Sequence, residues 1–206
     1  MRTIDMEHWE RKMHFDFFRT MDYPHFNLCM NIDISHFLAC TRRENLPFYF
    51  SMMHAASLAA NKTEEFRCRI RGEAVVVHEL VHPSFTYLKK DNALFKFVTA
   101  EMKDSMSRFA AEAKDRAENQ EAFFDMAGHT DDVLYITCIP WISFTSISHT
   151  ITLKKDDSVP RISWGKYFND GAKVMLPFSV QVNHALMDGF HVAKYVSNLE
   201  ETLNSL

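Results

Sequence analysis

The strongest constraint on the fold is a long apolar run near the C-terminus, KVMLPFSVQVNH at residues 173–184. Its β-prone residues are apolar on both faces, which is typical of a central strand that helices cover. A helical pattern from Gly189 to about Asn204 follows, and VLYITCIP, WISFTSI and RISWGKYF are further β-rich runs. Helices and strands in this order predict an α/β fold, a two-layer sandwich in which helices cover a mixed β-sheet.

Shorter patterns predict the remaining elements. A helix should begin near Pro47, because the fixed φ of proline suits the first helical turn, and end near Asn61. FRCRIRGEAVVVHEL alternates about Gly72 and predicts a β-hairpin, and SFTYLKK predicts a strand. Residues 94–119 carry apolar groups at helical spacing and predict a helix, and FDMAGHTDD predicts a loop.

Composition limits the class of protein. With 206 residues and 47% hydrophobic content, the chain predicts one domain spanning residues 1–206 around one core. Its charged residues are interspersed along the chain and sum to a net charge of −4, which argues against a nucleic-acid partner. The first residues lack an apolar stretch for a signal peptide or membrane span, so a cytoplasmic protein without membrane contact is expected. Four cysteines without CxxC spacing predict reduced thiols.

The segment NHALMDGFH, residues 183–191, joins the last strand to the last helix. Asp188 is placed to cap that helix, and Gly189 is expected to permit a close approach or an unusual dihedral angle. His184 alone could be a satisfied core residue. A second interpretation makes His184, Asp188 and His191 ligands of zinc or iron, although His184 should precede the helix and need not share its face.

The same segment carries a family resemblance. QVNHALMDGFHVAKYV closely resembles the H-x-x-x-D-G-F-H signature of chloramphenicol acetyltransferases, which belong to the CoA-dependent acyltransferase superfamily. HWERKMHFDFF, VHPSFTYL, ITCIPWISFTS and GKYFNDGAKVMLPFSVQVNH resemble further segments in family order. The resemblance implies O-acetylation of chloramphenicol or a related small-molecule alcohol by acetyl-CoA as co-substrate, with no metal, and a role in antibiotic resistance.

The resemblance also implies catalytic roles. His184 would be the general base, since an alcohol is a poor nucleophile until its proton is removed. Thr137 stands where the family has serine and would donate its hydroxyl to the developing oxyanion. Arg11 would pair with Asp188 and, with Gly189, hold the turn that presents His184.

The remaining implied site residues fall into two groups. Those near the coenzyme are Trp141, Lys166, Tyr167 and Ser163. Those of the acceptor pocket are Phe17, Phe18, Phe95, Ile147, His149 and Arg161. His149 and Arg161 replace apolar family residues, and each would cost about 1–3 kcal/mol against an apolar ligand if unpaired. Poor activity on chloramphenicol is therefore expected.

The resemblance implies a homotrimer whose active sites lie between subunits, with His184 facing the acceptor pocket of the neighbouring chain. Two alternatives stay open from the sequence. The first is a non-catalytic relative that binds CoA or another ligand as a sensor or carrier. The second is a metal-dependent hydrolase built on His184, Asp188 and His191.

Overall fold

The computed structural model describes residues 1–89, 94–124, 130–153 and 156–205. In these ranges the helices are α1 (Lys12–Phe18), α2 (Ser35–Arg43), α3 (Phe48–Asn61), α4 (Met106–Asn119) and α5 (Gly189–Asn204). The strands are β1 (Arg2–Thr3), β2 (His25–Asp33), β3 (Cys68–Arg71), β4 (Ala74–Val77), β5 (His82–Tyr87), β6 (Lys96–Thr99), β7 (Val133–Ile139), β8 (Arg161–Gly165), β9 (Phe168–Asp170) and β10 (Lys173–Asn183).

The main sheet has the strand order β2-β10-β8-β7-β5-β6, and β9 pairs with β10 beside this path. Strands β5, β7 and β8 run parallel, whereas β10 is antiparallel to both β2 and β8. A separate small sheet has the order β1-β4-β3. The sheet is therefore mixed, as the sequence predicts, and the apolar run at residues 173–184 supplies one of its internal strands.

One face of the main sheet is apolar and lies in the core. Ile136, Ile162, Val180 and Leu134 project into it, all essentially inaccessible to solvent. Helix α3 packs against β5 and β7 and also against α4 and α5. Ten of its 14 residues are buried, because it is apolar nearly all round. The helices thus form one layer over the apolar face.

The opposite face of the main sheet is polar yet mostly buried. Strand pairing places Thr137 beside Ser163 and Ser163 beside Ser179, so these side chains share this face. The segment 142–153 runs over it and bonds to it, because Asn27 donates to the Ile147 carbonyl and the His149 N–H donates to Gln181. This face positions part of the candidate site.

Most predicted elements are present. The predicted helix ends at Asn61 and has Pro47 at its N-cap, the predicted hairpin is β3 and β4, and α5 has the expected bounds. None of the four cysteines forms a disulfide. In the described ranges, the helices are too short or too polar to cross a membrane.

Three predictions were wrong or incomplete. WISFTSI is not a strand: its Ile147 carbonyl accepts from the Asn27 side chain of the polar sheet face instead of pairing with a neighbouring strand. Residues 94–119 are not one helix: β6 pairs with β5 first, and the helix begins only after the Ser105 cap. Elements β2 and α2 were not predicted. Residues 125–129 of the predicted FDMAGHTDD loop lie outside the described residues.

Candidate active site

His184 directly follows β10 and begins the turn into α5. Its backbone is held on both sides: the His184 N–H donates to the Pro24 carbonyl at 2.7 Å, and Arg11 Nη2 donates to the His184 carbonyl at 2.9 Å. Arg11 Nε also donates to the Ala185 carbonyl. The turn therefore has little freedom to move its histidine.

The imidazole of His184 is fixed by two aromatic rings. Phe18 at the end of α1 stacks on it, with ring centroids 3.9 Å apart and planes 7° from parallel. Phe26 on β2 contacts it at 4.7 Å with a 47° tilt. Among the described residues, Nδ1 is buried and has no hydrogen-bond partner. The ring plane is consequently set by packing.

Arg11 and Asp188 form the framework of the turn. Arg11 Nη1 donates to Asp188 Oδ2 at 2.8 Å, and the Arg11 side chain is only 11% exposed. Burial raises the pKa of Asp188, but the Arg11 hydrogen bond and the charges of His191 and Arg11 outweigh it and lower the pKa to about 2. Asp188 also caps α5 by accepting from the Phe190 N–H. One carboxylate thus joins the N-terminal segment to the active-site turn.

The candidate metal ligands do not converge. His191 Nδ1 lies 2.9 Å from Asp188 Oδ1 as part of the helix cap, whereas the His184 ring packs on Phe18. In the described parts of the chain, no group of three or more potential ligands could hold a metal ion. The metal-dependent hydrolase therefore finds no support in the arrangement.

Gly189 was expected to permit a close approach or an unusual dihedral angle, and this reason is wrong. Its φ is not in the left-handed region, and a Cβ there would meet nothing within 4 Å. The turn in this chain does not require a glycine. Position 165, in contrast, does require a glycine, because a Cβ there would lie 2.7 Å from the Ile142 carbonyl oxygen.

A cleft of about 470 Å³ lies on the polar face of the sheet. Its lining includes Thr137, Ser163, His149 and Arg161, four of the predicted residues. Thr137 and Ser163 are direct neighbours in the parallel pair β7 and β8. The predicted oxyanion donor and three other predicted residues thus share one cavity.

Three of these side chains are paired. His149 Nε2 lies 2.7 Å from Ser163 Oγ. Burial lowers the pKa of His149, and the Arg161 charge lowers it further. Arg161 Nη2 donates to both oxygens of Asp157, at 2.8 and 3.1 Å. The expected cost of an unpaired arginine does not arise, because this charge is neutralised by a carboxylate.

Three of the predicted coenzyme residues, Trp141, Lys166 and Tyr167, lie at the other end of β7 and β8, whereas Ser163 lines the cleft. Trp141 is 67% exposed, and Lys166 and Tyr167 are exposed as well. The Lys166 N–H donates to the Ile142 carbonyl at 2.9 Å, which holds the Trp141 turn beside Lys166. An exposed aromatic ring and a cation in this position fit an extended ligand with phosphate groups.

The predicted site is divided within a single chain. Phe18 contacts His184, and the exposed Phe17 packs on Phe18. Strand pairing places Thr137 on β7 level with Ser179 on β10, two strands away, and His184 follows Ser179 by five residues. These spacings put the Cα atoms of Thr137 and His184 roughly 19 Å apart. His184 cannot act on a hydroxyl bound at Thr137 of the same chain at that distance.

Several site residues were not predicted. Phe26 contacts His184, Tyr135 and Phe97 line the cleft, and Asp157 neutralises Arg161. The i, i+4 spacing of Asp157 and Arg161 offered a signal, although the two residues are not on a helix. Phe95, which was predicted, borders the cleft through its ring contacts with Phe97 and Phe123.

Comparison with known sequences gives consistent matches along the chain. The family model described as chloramphenicol acetyltransferase matches residues 1–200. A chloramphenicol acetyltransferase from Klebsiella sp is 29% identical over 203 residues, which are 97% of this chain and 92% of that protein. Chloramphenicol acetyltransferase 3 from Escherichia coli is 29% identical over 205 residues, covering 98% of this chain and 96% of the relative.

Solved structures show the same fold. A chloramphenicol acetyltransferase structure aligns with a TM-score of 0.88 at 22% identity, covering 98% of this chain and 99% of the other. The dihydrolipoamide acetyltransferase of Azotobacter vinelandii aligns with a TM-score of 0.68 at 17% identity, covering 94% of this chain and 86% of that one. The predicted α/β fold with a mixed sheet is confirmed as that of the CoA-dependent acyltransferases.

Proposed function

Because this chain belongs to the chloramphenicol acetyltransferase family and is therefore an acyltransferase, we propose that it transfers acetyl from acetyl-CoA to a hydroxyl of a small-molecule alcohol, with His184 as general base. The observation that carries this proposal is the fixed imidazole, which packs between Phe18 and Phe26 on a turn braced by Arg11 and Asp188. A base needs such orientation to act in a defined direction.

In the proposed reaction His184 removes the proton of the acceptor hydroxyl while the hydroxyl oxygen attacks the thioester carbonyl. The resulting oxyanion accepts a hydrogen bond from Thr137. The intermediate then collapses, the carbon–sulfur bond breaks, and the CoA thiolate takes the proton from His184. Lys166 and Trp141 would hold the coenzyme, because they present a cation and an aromatic surface at one end of the strands.

We propose further that the active site forms between two copies of the chain, in a homotrimer. The 19 Å estimated from strand spacing separates His184 from Thr137 of its own chain, so a base acting at the Thr137 cleft has to come from another copy. A closed ring of three identical subunits gives every cleft one such neighbour. Light scattering should give three times the mass of the chain.

The test is an assay of CoA thiol release with chloramphenicol and a panel of other alcohols. His184→Ala should lower turnover by about 10²–10⁴-fold, the usual contribution of a positioned base. His14→Ala, an exposed histidine on α1, is the matched control. Equal rates for wild type and His184→Ala with every acceptor would refute the proposal, and CoA binding without any turnover by the wild type would favour a carrier.

Thr137 has its own test. Thr137→Val removes the hydroxyl while keeping the shape, and turnover should fall about 10²–10³-fold, as when other oxyanion donors are removed. Thr137→Ser keeps the hydroxyl and should retain most activity. If Thr137→Val is as active as wild type, the oxyanion donor lies elsewhere.

A further inference from the structure

We infer that the preferred acceptor is an amphipathic polyol, with an aryl or alicyclic ring at one end and several hydroxyl groups at the other, as in aryl glycosides. The inference rests on the proposed function, because it concerns the acceptor of the same reaction. It follows from the cleft on the polar sheet face, whose two ends offer side chains of different chemistry.

The end of the cleft over β8 is polar. His149 uses Nε2 to bond with Ser163, and among the described residues its Nδ1 has no hydrogen-bond partner while remaining accessible to solvent. Thr150 and Thr152 also line this end. A ligand here meets one free imidazole nitrogen and the hydroxyls of Thr150 and Thr152, of which the Thr152 hydroxyl already donates to Asp157 and can only accept from the ligand.

This polar end favours neutral hydroxyl groups over charged ones. Arg161 is already paired with Asp157, so it offers no uncompensated charge to an anionic ligand. Burial and the nearby Arg161 lower the pKa of His149, so the imidazole is neutral at neutral pH. A neutral imidazole nitrogen can donate to or accept from a hydroxyl, depending on its tautomer.

The other end of the cleft, at β6, is aromatic. Phe97 and Phe123 line it, with ring centroids 5.4 Å apart, and Phe95 packs against both rings. Three strand spacings separate β8 from β6, so the polar and aromatic ends are about 14 Å apart. Such rings bind the apolar surface of another ring.

Thr137 lies on β7, between the two ends. The hydroxyl that is acetylated should therefore stand between the ring and the polyol part of the acceptor, as the 2-hydroxyl of an aryl glycoside does. A wholly apolar acceptor would cover His149 Nδ1 without giving it a partner, which is unfavourable. A ring linked to a polyol satisfies both ends.

The test measures binding to the full oligomeric protein by titration calorimetry. The probes are 4-nitrophenyl β-D-glucopyranoside, 4-nitrobenzyl alcohol and glucose, which present both parts, the ring alone and the polyol alone. We expect the glycoside to bind about tenfold more tightly than 4-nitrobenzyl alcohol or glucose. A tenfold ratio in affinity corresponds to the net contribution of one or two hydrogen bonds. Equal affinity for 4-nitrobenzyl alcohol would overturn the inference.

Variants of His149 sharpen the test. His149→Leu should weaken glycoside binding about tenfold and leave 4-nitrobenzyl alcohol bound as before or more tightly. His149→Gln keeps hydrogen-bonding groups and should retain most of the glycoside affinity, which separates lost recognition from a damaged fold. His8→Leu, an exposed histidine outside the cleft, should change neither affinity. Unchanged glycoside affinity in His149→Leu would overturn the inference.

Because the readout is binding, the two proposals fail separately. A preference for the glycoside without acetyl transfer would contradict the proposed function and support the polar cleft as a recognition site. His184-dependent acetylation of chloramphenicol without any preference for the glycoside would support the proposed function and contradict the inference.

Discussion

His184 and Phe18 lie face to face, with ring centroids 3.9 Å apart and planes 7° from parallel. The orientation of the imidazole is thus determined by a ring at the end of α1 and not by a carboxylate. Asp188, the nearby acid, accepts hydrogen bonds from Arg11 and, as the N-cap of α5, from the Phe190 N–H. Packing against Phe18 thus orients the His184 ring, and the Arg11–Asp188 ion pair holds the turn that carries His184.

Removing the stacked ring should therefore impair chemistry more than binding. For Phe18→Ala we expect kcat to fall about 10- to 100-fold, because a misoriented base loses its near-attack geometry. The KM for acetyl-CoA should change little, since the ring contacts of Phe18 are with Phe17 and His184 and not with the predicted coenzyme residues. Steady-state kinetics provide the measurement, and Met13→Ala on the same helix, 82% exposed, is the control. An unchanged kcat would show that Phe18 does not position the base.

Breaking the Arg11–Asp188 pair should lower both stability and activity. Asp188→Asn leaves the largely buried Arg11 guanidinium without its counter-charge. We expect a loss of about 1–3 kcal/mol in the free energy of unfolding, less than for a fully buried pair because the Asp188 side chain is 34% exposed. Urea unfolding measures it. Asp16→Asn breaks the exposed Lys12–Asp16 pair and should cost below about 0.5 kcal/mol. Equal effects of the two variants would contradict this account.

His54 should make stability depend on pH in the acidic range. Its Nε2 donates to the Lys103 carbonyl at 2.8 Å, and Nδ1 is buried without a partner among the described residues. Burial lowers the pKa of His54, despite opposing effects of the Lys103 carbonyl and Asp104. The unfolded chain therefore binds the proton first as pH falls below about 6.5, and the free energy of unfolding decreases.

The size of that pH effect can be isolated by mutation. His54→Gln keeps a donor for the Lys103 carbonyl and removes the titration. Between pH 6.5 and 5 the free energy of unfolding of the variant should fall less steeply than that of the wild type. The two slopes should differ by up to about 1.4 kcal/mol per pH unit. Urea unfolding at several pH values gives the slopes. Parallel curves for wild type and variant would assign the acid sensitivity to other groups.

Gly165 and Gly189 should respond oppositely to the same substitution. Gly165→Ala places a Cβ 2.7 Å from the Ile142 carbonyl oxygen, and we expect a loss of about 1–3 kcal/mol in stability with a higher KM for acetyl-CoA. Gly189→Ala meets no atom within 4 Å in this chain and should be neutral or slightly stabilising in the first turn of α5. Thermal unfolding compares them. A tolerant Gly165 would show that segment 142–144 can move away.

The sequence predicted elements whose signals are local. α3 was recognised from Pro47 and its apolar run, and α5 from the helical pattern that follows Asp188. β2 was missed although its sequence alternates as a strand should, with Phe26, Leu28, Met30 and Ile32 at every second position. WISFTSI, residues 141–147, was misjudged because its β-prone residues cross the sheet instead of joining it.

The candidate site was predictable only in part, because its residues depend on tertiary contacts. The resemblance paired Arg11 with Asp188, and the two residues are in contact. Pattern alone could not indicate that Phe26 packs on His184, since that contact depends on how distant segments meet. Nor could it indicate that His184 and Thr137 lie at different ends of the sheet face.

A mixed-oligomer assay tests most directly whether the His184 of one chain serves the Thr137 cleft of another. A His184→Ala chain and a Thr137→Trp chain, whose cleft is filled, would be co-expressed with different tags and purified through both. Each alone should be inactive. In a trimer with shared sites, every mixed oligomer has one intact site, so about one third of wild-type activity should return. Mixed oligomers of trimeric mass without activity would contradict the shared site.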